Sequence, residues 1–448
     1  MGTYFGTDGF RGEAGKVVTA ERAFAIGRVL GRYYGQEKRH PRAVIGKDTR
    51  RSSYCLEYAV ASGLCASGAD AYIMHVTTTP CVAYTVGADG MDFGIMISAS
   101  HNPYTDNGIK VINSKGEKIG EEVIASLEKM MESAHALPHA IGEDIGRIVD
   151  YYEGRNRYIG YLISTARHSF SGLKIGLDCA NGSAFNIARA VFGALGADIT
   201  AIGTEPDGIN INDRLGSTHP ERLAALVKER SLDIGLAFDG DADRCIAVDE
   251  KGRIVDGDGI LYVLASKMKE RSELISDTVV TTVMSNLGLI KALDAIGIKH
   301  KSVAVGDRFI YEEMEKGGYA IGAEQSGHLI VKKYSSTGDG ILTGIRLCEE
   351  MLDSDRSLSE LASPFAPLPQ ITVSVRVRDK AVADAPEVKA EKRRIEEALG
   401  DCGRIILRKS GTEPVVRIMA ECESESEARR ITSTLSSLIE KLDREGAE

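Results

Sequence analysis

Apolar runs of strand length punctuate this chain, and most of them end abruptly in glycine, small polar or charged residues. Three open matching segments: Ala43-Val44-Ile45-Gly46, Lys174-Ile175-Gly176-Leu177 and Val279-Val280-Thr281-Thr282-Val283. Short apolar runs bounded by turn signals predict buried strands. Each leads into a helix-like stretch that ends near glycine, at Ser67-Gly68-Ala69-Asp70, Leu195-Gly196-Ala197-Asp198 and Ile296-Gly297-Ile298. Glycine suits the left-handed residue that closes a helix. A second apolar strand and a second helical stretch follow each time. The third strands, Asp92-Phe93-Gly94-Ile95, Asp233-Ile234-Gly235-Leu236 and Tyr319-Ala320-Ile321-Gly322, run straight into polar loops. Those loops are Ser98-Ala99-Ser100-His101, Asp239-Gly240-Asp241-Ala242-Asp243-Arg244 and Glu324-Gln325-Ser326-Gly327-His328.

Alternating strands and helices predict α/β units with mixed, largely parallel sheets. The strand after each polar loop follows a short connection, so it is expected antiparallel, at the edge of its sheet. Ligands in such folds gather at the carboxyl ends of strands. Three polar loops at equivalent carboxyl ends therefore predict one shared cleft. The remainder of the chain differs. Ile371-Thr372-Val373-Ser374-Val375-Arg376-Val377 alternates with period two, and a charged helix (Glu387 to Leu399), two further strands and a final helix follow. This is a small α+β domain, with Pro364, Pro367 and Pro369 marking its linker. The expected division is into three related α/β domains, 1–150, 151–255 and 256–367, and a C-terminal α+β domain, 368–448, around a central cleft.

Composition narrows the class. A chain of 448 residues is too long for one core and fits roughly three or four domains. The formal net charge of -10 argues against a nucleic-acid partner. It is compatible with a phosphate ligand, because local Arg clusters and loop amides decide that. No apolar run approaches membrane-spanning length, and Met1-Gly2-Thr3-Tyr4 begins neither a signal-peptide core nor, with Gly6, a myristoylation pattern. The eight cysteines contain no Cys-x-x-Cys and read as reduced thiols of a cytoplasmic protein.

The loops carry the chemistry. Ser100 stands where a strand empties into a loop, a placement that suits a nucleophile or a phosphate carrier. Activation of Ser100 by His101 conflicts with the opposite directions of adjacent strand residues, and a Gly-x-Ser-x-Gly elbow is absent. In extended chain, Asp239, Asp241 and Asp243 point to one side, and three such carboxylates call for a cation. Oxygen-only ligands favour Mg²⁺. The rival is an EF-hand with Glu250 in twelfth position, but Arg244 stands where that loop needs Gly. A metal-held phosphoserine accounts for both loops together. Lys110, in the strand after the serine loop, can stabilise a transferring phosphoryl group or act as a base; the alternative is an exposed edge-strand lysine, which is common. His101 can orient the loop, shuttle protons or simply cap a turn. Arg408-Lys409-Ser410-Gly411-Thr412-Glu413-Pro414, with Arg417 beyond it, forms a plausible phosphate cradle. Phe5-Gly6-Thr7-Asp8-Gly9-Phe10-Arg11-Gly12 lacks the spacing and Lys of a P-loop, though Arg11 can reach a phosphate.

Taken together, Gly6-Thr7-Asp8-Gly9-Phe10-Arg11-Gly12, Ser98-Ala99-Ser100-His101-Asn102-Pro103, Asp239 to Arg244, Glu324 to His328 and Arg408 to Pro414 resemble the α-D-phosphohexomutase superfamily in its own motif order, along essentially the whole chain. The resemblance implies that Ser100 is the phosphorylated catalytic serine. It implies that Asp239, Asp241 and Asp243 bind one Mg²⁺ together with Ser100. It places Arg11, His101, Lys110 and Arg244 in the catalytic group, Arg244 beside the phosphate and Lys110 as candidate general base. Glu324, Ser326 and His328 fall in the sugar-binding motif, and Arg408, Ser410, Gly411, Thr412 and Arg417 in the loop that holds the non-transferred phosphate. Gly322-Ala323 departs from the Gly-Gly common in the family. Val305-Gly306-Asp307-Arg308 looks like the branch that isomerises glucosamine phosphates, with Asp307 and Arg308 at the substrate, whereas the mannose/glucose branch tends to place a His there. The implied reaction interconverts glucosamine 6-phosphate and glucosamine 1-phosphate through glucosamine 1,6-bisphosphate, upstream of UDP-N-acetylglucosamine and cell-wall synthesis. The alternative within the superfamily is a phosphomannomutase/phosphoglucomutase. Outside it stand a metal-dependent phosphatase using Ser100 and a non-catalytic sugar-phosphate sensor. The expected partner is a small sugar phosphate, with neither nucleic acid nor membrane; a homodimer is compatible with the sequence.

Overall fold

In the computed structural model, the described residues are 9–410 and 414–445, and their strands form four sheets. The first holds β1 (Phe10–Glu13), β2 (Arg42–Lys47), β3 (Asp70–Val76), β4 (Phe93–Ile97), β5 (Asp106–Asn113) and β6 (Ile148–Asp150), in the order β1-β5-β4-β2-β3-β6. The second holds β7 (Lys174–Asp178), β8 (Asp198–Ile202), β9 (Ile234–Phe238), β10 (Cys245–Asp249) and β11 (Ile254–Val255), in the order β11-β10-β9-β7-β8. The third holds β12 (Thr278–Thr282), β13 (Lys299–Val303), β14 (Ile321–Ala323) and β15 (Leu329–Val331), in the order β13-β12-β14-β15.

One topology recurs in all three. The first strand of each repeat lies between the second and third, both parallel to it, and the fourth returns antiparallel to the third. The repeated order of signals along the chain thus corresponds to a repeated fold. The edge placement holds only in the third sheet, where β15 is outermost. In the first, β1 pairs antiparallel with the far side of β5, and in the second β11 covers β10. Both added strands are short, four and two residues, too short for a period-two pattern to announce them.

Strands β4, β9, β10 and β12 are buried at every position, as expected for parallel sheets covered on both faces. In the first sheet, helices α1 (Ala20–Tyr34) and α2 (Arg51–Cys65) pack one face, and α3 (Thr79–Ala88) follows β3. Phe93 on β4 is fully buried and stacks on Tyr34 at 4.1 Å between ring centroids. Gly68, Gly196 and Gly297 adopt φ of +88°, +92° and +69°, the left-handed turn that the three helix ends call for. All eight cysteines are free thiols. No helix among the described residues is long and apolar enough to cross a membrane.

The chain divides into two compact units. One comprises the residues up to Met284 with Gly297–Ser363; the other comprises Ser285–Ile296 and the chain from Pro364 on. The second unit is the expected α+β domain: β16 (Gln370–Arg376), β17 (Gly403–Lys409) and β18 (Val415–Cys422) form an antiparallel sheet with β18 central, packed with the helices Pro386–Leu399 and Glu425–Glu445. It also takes the helix Leu287–Ala295, which chain order assigns to the third repeat. Asn286 explains this: its Nδ2 donates to Leu368 O (3.0 Å), its Oδ1 accepts from Leu368 N–H (2.9 Å), and Leu287 N–H donates to the buried Glu421.

Truncating Phe93→Ala removes a buried ring and its stacking partner. The expected cost is about 3–5 kcal/mol, measurable as a lower urea midpoint for the transition of the larger unit.

Candidate active site and metal centre

The three polar loops meet. Each joins the third strand of its repeat to the antiparallel fourth, so each is held at both ends by paired strands. Ser100 Oγ donates to Asp239 Oδ2 at 2.5 Å, joining the first loop to the second. Arg244 and His328 form an isolated antiparallel bridge, and Cys245 N–H donates to Gly327 O at 3.0 Å, joining the second to the third.

Two features define the geometry of Ser100. It is only 2% exposed, and its φ is +52°, a left-handed conformation that costs a non-glycine residue energy and concentrates at functional sites. That conformation ends the strand alternation on which the separation of Ser100 and His101 rested. His101 Nδ1 consequently lies 3.3 Å from Ser100 Oγ. Burial, then the positive charges of Arg244 and Arg11, push the His101 pKa down to about 4, so the ring is neutral near pH 7.

Asp239, Asp241 and Asp243 are buried, and their oxygens lie within 4.8 Å of one another. They converge through a turn, in place of the expected extended alternation: Ala242 N–H donates to Asp239 O (3.1 Å) and Ala242 has φ +57°. Gly240 lies in this turn because a Cβ there would stand 2.6 Å from Ser100 O and 2.8 Å from Ile211 Cδ1. Burial, together with the charges of Asp243 and Asp241, holds the Asp239 carboxyl well above its usual pKa. Burial acts in the same direction on Asp243, but Lys110, His328 and Arg244 outweigh it and hold that carboxyl well below. Lys110 Nζ lies 2.6 Å from Asp241 Oδ2 and 3.5 Å from Asp243 Oδ2. The register Met96↔Lys110 between β4 and β5 puts it there. Arg244 Nε lies 3.9 Å from Asp243 Oδ1. The EF-hand is excluded: β9 and β10 flank the loop, and Glu250 accepts hydrogen bonds from Ser359.

These residues fit a divalent cation. Asp241 Oδ1 and Asp243 Oδ1 are buried and accept no hydrogen bond among the described residues, a costly state for a carboxylate oxygen that a hard cation relieves. Thr79, which sequence reasoning missed, orients the cluster from the first turn of α3. Its N–H donates to Asp241 O (3.0 Å) and its hydroxyl to Asp241 Oδ2. The Thr-Pro start of α3 was the available signal.

Beside the cluster, a cavity of about 470 Å³ is lined by Lys110, Lys118, Asp307, Arg308 and His328. Asp307 Oδ2 pairs with Lys118 Nζ (2.6 Å) and lies 3.6 Å from His328 Nε2. Gly338 N–H donates to His328 Nε2 (3.0 Å), which leaves the ring proton on Nδ1, facing Asp243 Oδ2 at 3.7 Å. Arg308 is tied to Glu312 (2.6 Å) and Glu121 (3.3 Å). Glu324 Oε1 accepts from Gly306 N–H (3.0 Å), and Ser326 is exposed. Arg11 lies on β1 opposite Gly108. In the second unit, Arg408 and Arg417 face each other across β17 and β18, and Ser410 N–H donates to Val415 O (3.0 Å). Gly411 and Thr412 lie outside the described residues.

Comparison with known proteins gives concordant matches. Four family models, described as phosphoglucomutase/phosphomannomutase alpha/beta/alpha domains I, II and III and C-terminal domain, match residues 2–137, 156–252, 256–368 and 373–436. The phosphoglucosamine mutase of Lachnospira eligens is 54% identical over 98% of this chain and 98% of its own. That of Bacillus subtilis is 48% identical over 95% of each. Among solved structures, a phosphoglucomutase/phosphomannomutase family protein from Burkholderia thailandensis superposes with a TM-score of 0.81 at 25% identity, covering 97% of each chain. The Aspergillus fumigatus N-acetylphosphoglucosamine mutase in complex with GlcNAc-6P and magnesium has the same fold, with a TM-score of 0.69 at 18% identity over 99% of this chain and 96% of that one.

Two outcomes follow from the geometry. Saturating Mg²⁺ should raise the thermal midpoint, by the equivalent of about 2.7 kcal/mol at a hundredfold excess over Kd. Asp241→Asn, nearly isosteric, should abolish the shift, and a shift that survived in this variant would remove Asp241 from the metal site. Gly240→Ala should cost about 1–3 kcal/mol in chemical denaturation, since the new methyl meets backbone on the Ser100 side.

Proposed function

The chain belongs to the phosphoglucomutase/phosphomannomutase family of α-D-phosphohexomutases, and on that footing we propose that its cleft isomerises glucosamine 6-phosphate and glucosamine 1-phosphate. The observation that carries this reading is Ser100 Oγ at 2.5 Å from a carboxylate of a buried, under-bonded Asp cluster. A serine so placed is a phosphate carrier with its own counter-ion site. The amino sugar comes from the relatives that share about half of their residues with this chain along nearly its full length.

Ser100 carries the phosphoryl group. Ser100, Asp239, Asp241 and Asp243 would hold one Mg²⁺, which supplies the charge neutralisation that phosphoryl transfer demands. The O1 hydroxyl of glucosamine 6-phosphate attacks phosphorus; the P–O1 bond forms as the P–Oγ bond breaks, and the O1 proton passes to Oγ by way of Lys110. His101, kept neutral, hydrogen-bonds Oγ and orients it. Arg11 and Arg244 face the phosphoryl oxygens, and fixed positive groups of this kind stabilise the charge that develops in the transition state. The resulting glucosamine 1,6-bisphosphate turns over, its 6-phosphate returns to Ser100 Oγ, and glucosamine 1-phosphate leaves. Glu324, Ser326 and His328 hold the sugar hydroxyls, with Asp307 and Arg308 beside them. Arg408, Ser410, Gly411, Thr412 and Arg417 cradle the phosphate that is not transferred, so one cradle serves both orientations.

The domain limits that go with this assignment are 1–150 for the serine loop, 151–255 for the metal loop, 256–367 for the sugar loop and 368–448 for the phosphate cradle. The reaction belongs in the cytoplasm, upstream of UDP-N-acetylglucosamine and cell-wall precursors.

Ser100→Ala should abolish isomerisation and remove the mass of one phosphoryl group from the phosphorylated enzyme. Arg244→Ala should lower kcat by roughly 10²–10³-fold. Chelation should stop turnover and Mg²⁺ restore it. Glucosamine 6-phosphate should be converted faster than mannose 6-phosphate or glucose 6-phosphate; a preference for either of these overturns the amino-sugar assignment, and free phosphate as the main product overturns the mutase.

A further inference from the structure

Arg50 is fully buried, and each of its five side-chain N–H groups has a partner. Nε donates to Asp48 Oδ2 (2.7 Å). Nη1 donates to Pro103 O and to Asp106 O (3.1 Å), and Nη2 to Ser100 O (2.9 Å) and Asn102 O (2.8 Å). Three carbonyls of the serine loop and the first carbonyl of β5 therefore converge on one guanidinium. Asp48 is equally committed: Oδ1 accepts from Arg50 N–H (3.0 Å) and Ser53 Oγ (2.6 Å), and Oδ2 accepts from Ser98 Oγ (2.7 Å) as well as from Arg50 Nε. Ser98 Oγ in turn accepts from Ser100 N–H (3.0 Å). From the second repeat, Asn212 Nδ2 donates to the same two carbonyls, Ser100 O (2.9 Å) and Asn102 O (3.0 Å).

Both backbone polar groups of Ser100 are thus fixed by this network, and Ser100 holds the left-handed φ of +52° that turns its Oγ toward Asp239. None of these groups lies at the reacting atoms. Only a planar fork with five donors can gather four carbonyls and a carboxylate at once; an ammonium presents three donors from one point.

We propose that Arg50, with Asp48 and Asn212, is the positioning clamp of the phosphate-carrying loop, setting the Ser100 Oγ position at which phosphoryl groups are handed over and taken back. The proposal rests on the phosphoserine reading of Ser100. A carrier that acts at both ends of the substrate in each turnover must return to one place, and a displacement of the order of 1 Å costs about 10²-fold in rate.

The test compares wild type, Arg50→Lys and Asn212→Ser in steady state and in single-turnover transfer from phospho-Ser100 to glucosamine 6-phosphate, with rates normalised to folded protein. The expected result is a fall in kcat of about 10²-fold for Arg50→Lys and a smaller fall for Asn212→Ser. KM should stay within about threefold and the transfer rate should fall by the same factor as kcat, because substrate contacts are untouched. Normal kcat per folded molecule in either variant, with any deficit confined to stability or yield, overturns the clamp. Should Arg50→Lys fail to fold, Asn212→Ser decides alone, since it removes one donor from the same carbonyls. Wild type run alongside separates the two readings: no isomerisation by wild type overturns the assigned reaction, whereas normal wild-type turnover with undiminished variants overturns only the clamp.

Discussion

Three carboxylates buried within 4.8 Å of one another are the constraint on which the rest of the site depends. At an effective dielectric near 20, like charges so close repel by about 4 kcal/mol per pair, before the cost of desolvating them. The fold answers with Lys110 from the first repeat, Arg244 from the loop itself, and the N–H and hydroxyl of Thr79 at the start of α3. Among the described residues, nothing donates a hydrogen bond to Asp241 Oδ1 or Asp243 Oδ1. The ion pairs thus engage one side of the cluster, and the two remaining buried oxygens could hold a cation.

The tripled topology explains how such a cluster is held. In each repeat the active loop spans a parallel strand and its antiparallel neighbour, so both ends are pinned by ladder hydrogen bonds. The three loops differ in chemistry while sharing a location: a serine in the first, carboxylates in the second, and in the third a Glu-Gln-Ser-Gly-His turn closed by Glu324 N–H on His328 O. The direct link from Ser100 to Asp239 and the pairing of Arg244 with His328 join them, so a shift in one loop is felt in the others. Tight contact enforces this. Gly240 admits no side chain because the Ser100 carbonyl occupies the space.

Much of this was legible along the chain, and the failures share a cause. Strand and helix order, the glycine helix ends and the small C-terminal domain follow from periodicity and turn residues, which are local. The sequence expectation of edge positions for β5 and β10 fails because β1 and β11, which cover them, are only four and two residues long. The helix Leu287–Ala295 reads as a member of the third repeat, yet Asn286 and Leu287 are bonded to Leu368 and Glu421, far along the chain. Arg50 follows a buried strand in Lys47-Asp48-Thr49-Arg50 and reads as an ordinary polar turn; nothing local shows that its five donors close on residues 100 to 106.

Local pattern along the chain is enough to tell which residues could do chemistry and in what order they arrive: a serine after β4, three aspartates after β9, a Glu-Ser-His turn after β14. Hydrophobic patterning and motif spacing are enough for that, because they act over a few residues at a time. How those residues face one another depends on contacts between segments distant in the chain. Left-handed Ser100 and Ala242 overrode strand alternation, bringing His101 Nδ1 to 3.3 Å from Ser100 Oγ and folding three aspartates onto one point. Such backbone conformations are locally unfavourable; at Ser100 the carbonyl accepts from Arg50 and Asn212, far along the chain, and no local pattern reveals partners so distant.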